Sequence, residues 1–76
     1  MARFFFHLRT DRGLEPDDEG LEYPDMDRAC REAALAIPGL TREFLAAGRD
    51  PANFCFQISD AEGNVLCEVP FRPQPG

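Results

Sequence analysis

Lysine and tryptophan are absent from this 76-residue sequence, and histidine and tyrosine each occur once. All eight basic residues are scattered arginines, and the formal net charge is −6. Because no basic stripe forms and surplus carboxylates repel phosphate backbones, we expect no nucleic-acid partner. No apolar run approaches the roughly 20 residues that a bilayer-spanning helix needs, so we expect no membrane association.

Neither a CxxC nor an HxxxH spacing occurs, although the chain has three cysteines. The first residues carry only a three-phenylalanine run instead of the apolar core of a signal peptide. We therefore expect a cytoplasmic protein with reduced cysteines, in which Cys30 and Cys67 are small core residues. No metal ion and no cofactor are expected, since the usual ligand spacings are missing.

Alternating side chains predict a first strand over residues 3–9. Phe4, Phe6 and Leu8 share one face and should enter the core, whereas Phe5 and His7 share the other face. The turn-rich segment 10–20 follows, with short strand pieces predicted at 14–16 and 21–23. Pro16 donates no backbone hydrogen bond, which places this segment at a sheet edge.

Helical spacing of apolar residues begins after Asp25, a suitable N-cap, and ends before Gly48, a suitable left-handed C′ residue. Pro38 lies inside this stretch, and two interpretations stay open: one kinked helix, or two helices with a short break. The apolar stripe consists of Met26, Ala29, Cys30, Ala33, Ile37, Leu40, Phe44 and Ala47.

A hairpin is predicted from two alternating runs, 54–59 and 65–71. Matching their apolar faces places Ile58 opposite Val65 and Phe56 opposite Cys67, with a four-residue loop at 60–63 that ends in a left-handed Gly63. The same register places Cys55 and Cys67 on opposite faces, so a disulfide between these two is not expected.

Together these elements predict an α+β fold of order ββαββ: an antiparallel sheet of three or four strands with one kinked or broken helix on one face. We expect residues 1–71 to form one domain and residues 72–76 to be a flexible tail. A chain of this length has a small core, so association with a second subunit would stabilise it.

No catalytic constellation is evident, and several side chains carry alternative interpretations. An acidic cluster (Asp17, Asp18, Glu19, Glu22) is best read as a solvated turn, with a calcium loop or a paired-carboxylate site as the alternative. Phe5, Leu66 and Phe71 are candidates for an exposed apolar patch.

These observations favour a non-enzymatic protein-interaction module that forms a homodimer through an open sheet face or an edge strand. A small metal-dependent or thiol-dependent enzyme that uses His7, Cys55 and the carboxylates of residues 17–22 is the alternative. The predicted interface residues are Phe5, His7, Cys55, Gln57, Leu66 and Glu68.

The order of these motifs resembles that of a family of short proteobacterial proteins, domain of unknown function 6894. The likeness lies in residues 3–7, 18–25, 48–51, 56–63 and 69–71. It implies no activity and no catalytic residues. A looser similarity in layout, to the HicB-type antitoxin fold, implies a further alternative: an antitoxin-like or regulatory protein with a partner protein.

Overall fold

The computed structural model describes residues 1–72, which form five strands and one helix. These elements are β1 (Ala2–Thr10), β2 (Gly13–Glu15), β3 (Leu21–Tyr23), α1 (Met26–Ala46), β4 (Cys55–Ser59) and β5 (Val65–Pro70). All strand pairs are antiparallel in the order β2-β1-β4-β5, and β3 pairs with the beginning of β1. The predicted α+β class, the element order and the helix on one face are confirmed.

The sheet has one more strand than the largest number predicted, because the segment after β1 pairs in two pieces. β2 lies along the end of β1, with Arg9 opposite Leu14, and β3 lies along its beginning, with Arg3 opposite Glu22. This segment forms a sheet edge, as predicted from Pro16, since a proline cannot supply the ladder hydrogen bond of a central strand.

The core lies between α1 and one face of the sheet, and most of its aromatic pairs pack edge to face. Phe54 and Phe44 have ring centroids 5.1 Å apart, and Phe71 lies 6.0 Å from Phe54. Phe71 is therefore a core residue, and its prediction as part of an exposed patch was wrong. The buried apolar residues are Phe4, Ala29, Ala33, Phe54, Phe56, Ile58 and Phe71.

Helix α1 begins as the sequence predicts, with the Asp25 carboxylate accepting a hydrogen bond of 2.8 Å from the backbone N–H of Arg28. It runs without a break through Pro38. Because Ile37 and Leu40 on either side pack against the core, tertiary contacts hold this turn despite the missing N–H. Gly48 follows the helix in the left-handed region, at φ +78°.

The predicted register of the hairpin was wrong by two residues. Ile58 lies opposite Cys67, and Phe56 lies opposite Val69. Since strand side chains alternate with a period of two, this shift leaves the core face and the outer face unchanged. A bulge follows Ile58, and Val65, expected in the core, is 52% exposed.

One residue of the shift originates in the turn, which is one residue longer than predicted, and the other originates in the bulge. Asp60 accepts hydrogen bonds from the backbone N–H groups of Glu62 and Asn64, both at 2.9 Å, and its own N–H donates to the carbonyl of Asn64. Gly63 adopts the predicted left-handed conformation, at φ +86°. An Asp side chain that caps its own turn thus extends the loop through Asn64.

Cys30 and Cys67 are joined by a disulfide, which corrects the expectation that they are reduced core thiols. The observed register is the reason: it places Cys67 beside Ile58 at the centre of the core face, across from the first turns of α1. Cys55 is the free cysteine of the described residues and lies on the other face, as predicted.

No helix in the described part of the chain has both the length and the apolar character needed to cross a membrane. The flexible tail predicted for residues 72–76 lies, beyond the exposed Arg72, outside the described residues.

Candidate functional site

The face of the sheet opposite α1 carries all six side chains predicted as an interface. We call it the open face and define it by Arg3, Phe5, His7, Arg9, Leu14, Cys55, Gln57, Leu66 and Glu68. The strand register lines up His7, Gln57 and Glu68 in one row across β1, β4 and β5. Leu66 lies at the bulge, two residues before Glu68 on the same strand.

Charged pairs flank the open face at two places. Arg3 contacts Glu22 at 3.2 Å, and Arg9 contacts Glu68 at 3.6 Å. Gln57 also donates a long hydrogen bond of 3.4 Å to Glu68. All four charged side chains are about half exposed, so these ion pairs add little to stability and are free to exchange partners.

Apolar surface occupies the region between the charged pairs. The Phe5 ring stacks on the His7 ring at a centroid distance of 6.4 Å. Ser59, the residue opposite Phe5 on β4, is only 2% exposed. Leu14 is 48% exposed and lies on β2 opposite Arg9, at the edge of this apolar region. Leu14 was missing from the predicted interface, although alternation within the short strand piece 14–16 contained the signal.

Cys55 does not have the properties of a catalytic thiol. Partial burial raises its pKa, and the Glu68 carboxylate raises it further, against the smaller opposing effect of Arg9. A thiol with a raised pKa is protonated at neutral pH and is a poor nucleophile. His7 lies opposite Gln57 and not opposite Cys55, so the register does not pair the thiol with the imidazole.

Asp17 makes four hydrogen bonds: two hold the segment between β2 and β3 against β1, and two lie within that segment. Its backbone N–H donates to Nδ1 of His7 at 2.9 Å, and its carboxylate accepts from the N–H of Phe6 at 3.1 Å. The carboxylate also accepts from Glu19 at 3.1 Å and from Gly20 at 3.2 Å. We call this arrangement the Asp17 clasp.

The clasp changes the interpretation of the acidic cluster and of His7. Asp18, Glu19 and Glu22 are exposed, as a solvated turn requires, but Asp17 is half-buried and structural. Nδ1 of His7 accepts a hydrogen bond, so the neutral ring carries its proton on Nε2. Among residues 1–72, no group of three potential ligands is placed to hold a metal ion.

Two opposing effects set the pKa of Asp17. Burial alone would raise it, but the hydrogen bonds from the backbone N–H groups of Phe6, Glu19 and Gly20 hold the pKa below the ordinary value of 3.8. A carboxyl group with a lowered pKa stabilises the fold fully above its unfolded-state value. That stabilisation is lost as the pH falls through the folded-state pKa.

Replacing Asp17 by alanine should lower the free energy of unfolding by about 2–3 kcal/mol, because it removes charge-assisted hydrogen bonds from partly buried N–H groups. Asp18→Ala, an exposed neighbour outside the clasp, should stay within about 0.5 kcal/mol of wild type. Urea unfolding followed by circular dichroism measures both. Asp17→Asn should also make the free energy of unfolding depend less on pH in the acid range. Equal losses of unfolding free energy in Asp17→Ala and Asp18→Ala would contradict the clasp.

Arg49 is a second structural residue that the sequence did not indicate. Its guanidinium lies 5.1 Å from the ring centroid of Phe44 and 5.3 Å from that of Phe54, and it contacts Asp11 at 3.1 Å. The hydrogen bond to Arg49 holds the pKa of Asp11 below its ordinary value. Its Nε is buried and has no hydrogen-bond partner within residues 1–72. Arg49 therefore joins the end of α1 to the β1–β2 turn by cation–π contacts and one ion pair.

A family model described as domain of unknown function (DUF6894) matches residues 3–72. The chain belongs to this family. The DUF6894 match runs from β1 to just beyond β5, so it includes every strand and the helix described above. Comparisons with curated proteins and with solved structures give no match.

Proposed function

We propose that this DUF6894 protein is a non-enzymatic interaction module that forms a homodimer in the cytoplasm through its open face. The observation that carries the proposal is the layout of that face, on which apolar side chains lie between two half-exposed ion pairs. Contiguous apolar surface with a polar rim is typical of protein interfaces.

The apolar part of the open face supports a protein partner. The helix covers only the other face of the sheet, and Leu14 and Leu66 remain exposed beside the stacked Phe5 and His7 rings. A chain of 76 residues buries little surface by itself, roughly 60% of what its unfolded form exposes. Covering the open face would therefore add buried apolar surface to a small core.

The charges of the open face support a second copy of the same chain. Arg3 with Glu22 marks one end of β1, and Arg9 with Glu68 marks the other. In a symmetric dimer the same patch meets itself, so each arginine can lie beside a glutamate of its partner. Electrostatic complementarity of this kind fixes the orientation of the two subunits.

Pairing through the β5 edge is the less favoured form of the same proposal. Pro70 ends β5 and supplies no N–H group, and Glu68 places a carboxylate at the middle of the strand. Both features oppose continuous pairing of two edge strands.

The test introduces one charge on each side of the molecule. Leu14→Glu alters the open face, whereas Leu35→Glu alters the outer surface of α1, where Leu35 is 67% exposed. Sedimentation equilibrium should show a wild-type dimer, weakened at least about tenfold by Leu14→Glu and unchanged by Leu35→Glu. A wild-type monomer at high concentration would remove the homodimer, and equal weakening by both variants would place the contact elsewhere.

A further inference from the structure

A cleft of about 330 Å³ opens between α1 and the edge formed by β1 and β3. It lies on the helix side of the sheet and is separate from the open face. Its walls are mostly apolar, and its lining residues are Phe6, Asp17, Leu21, Tyr23, Glu32, Ala33, Ala36 and Phe56. This volume lies at the lower end of the range of small-molecule sites.

The cleft exists because small side chains of the helix face large rings of the sheet. Ala33 and Ala36 leave space beside α1. Tyr23 meets Phe6 edge to face at 6.0 Å, and Phe56 meets Phe6 in the same way at 6.5 Å, which gives a wall of three connected rings. The π-face of such a ring attracts cations.

The charges in the cleft have one sign. Carboxylates come from two separate elements, Asp17 on the β2–β3 segment and Glu32 on α1, and no basic side chain is among the lining residues. Glu32 is also paired with Arg28 at 3.0 Å, from a position outside the cleft. Asp17 stays ionised at neutral pH, because hydrogen bonds within the clasp hold its pKa low.

We propose that this cleft binds a small organic cation with an apolar body, of the class of protonated arylalkyl amines. The apolar body fills the space beside Ala33 and Ala36 against the three rings, and the ammonium group lies near Asp17 and Glu32. An anion would meet two carboxylates, and a neutral ligand would gain only the apolar contact. The net charge of −6 further attracts cations to the protein.

Three probes of similar shape and different charge test the proposal: 2-phenylethylamine, 2-phenylethanol and phenylacetate. Chemical-shift titration of backbone amides gives the site and the affinity of each. The amine should bind at least about tenfold more tightly than the alcohol, as ion pairing plus a cation–π contact implies, and phenylacetate should bind least. The shifted amides should lie in β1, β3 and the middle of α1.

Two pairs of helix variants separate shape from charge. Ala36→Leu fills the cleft, whereas Ala34→Leu adds the same side chain at an exposed position that does not line it. Glu32→Gln removes a lining charge, whereas Glu43→Gln removes an exposed charge elsewhere on α1. Only the first variant of each pair should weaken amine binding, Ala36→Leu by at least about tenfold and Glu32→Gln by about threefold to tenfold.

Equal affinity for all three probes, or no binding at millimolar concentration, would overturn the proposal. It would also fail if Ala36→Leu and Ala34→Leu behaved alike. The amine test does not depend on the dimer. Leu14 lies on the other side of the sheet from the cleft, so Leu14→Glu should leave the affinity for the amine unchanged.

Discussion

Replacing Gly20 by alanine is expected to lower the free energy of unfolding by about 2–5 kcal/mol. Gly20 is buried and has φ +72°, where an L-residue costs about 1–2 kcal/mol. An added Cβ would also lie 2.8 Å from the carbonyl oxygen of Phe4 and 3.0 Å from Cγ of Arg3. Since the first of these atoms is backbone in β1, relief requires moving the strand, and such overpacking typically costs about 1–3 kcal/mol.

Gly63 provides the matched control for this variant. It has a similar φ of +86°, but a Cβ there would meet nothing within 4 Å. Gly63→Ala therefore measures conformational strain alone, and the excess loss in Gly20→Ala measures the close approach of the β2–β3 segment to β1. Urea unfolding of both variants gives the comparison. If Gly20→Ala costs no more than Gly63→Ala, the close packing described for this segment is wrong.

Loss of the Cys30–Cys67 disulfide should destabilise the protein by about 2–4 kcal/mol. The bond joins residues 37 apart in sequence, for which the chain-entropy model gives about 4 kcal/mol. The Cα atoms are 7.3 Å apart, which is wider than is usual for bridged cysteines. We therefore expect the loss of stability to lie between roughly 2 kcal/mol and the value of about 4 kcal/mol that the model gives. Comparing reduced with oxidised protein, and Cys67→Ser with wild type, by thermal unfolding measures the effect.

Cysteine counting provides the control for that prediction. Unfolded, non-reduced protein should react with one equivalent of a thiol reagent, at Cys55, and reduced protein with three. Cys55→Ser should leave the response to reductant unchanged. Three reactive thiols without reductant would contradict the disulfide. That count would restore the sequence-based prediction of fully reduced cysteines.

Local rules predicted much of the fold. Alternation in residues 3–9 identified the core face of β1, and Asp25 and Gly48 marked the ends of α1. Gly63 identified the left-handed position in the hairpin turn. Each of these signals depends on residues within one element, so it can be read before any contact between elements is known. The six predicted interface residues came from the same alternation.

The length of one turn and the contacts between residues distant in the chain decided the rest, and alternation and capping did not indicate them. The Asp60 turn and the bulge after Ile58 together shifted the hairpin by two residues, and the resulting register places Cys67 across from Cys30. Asp17 looked like one carboxylate among several until the fold brought it to β1.

The sequence alone determined the order of the elements and the direction of their apolar faces, because propensity, capping and periodicity act over a few residues. Only the tertiary structure decided the register, the disulfide, the Asp17 clasp and the cleft, because each depends on how one element of the fold packs or pairs with another.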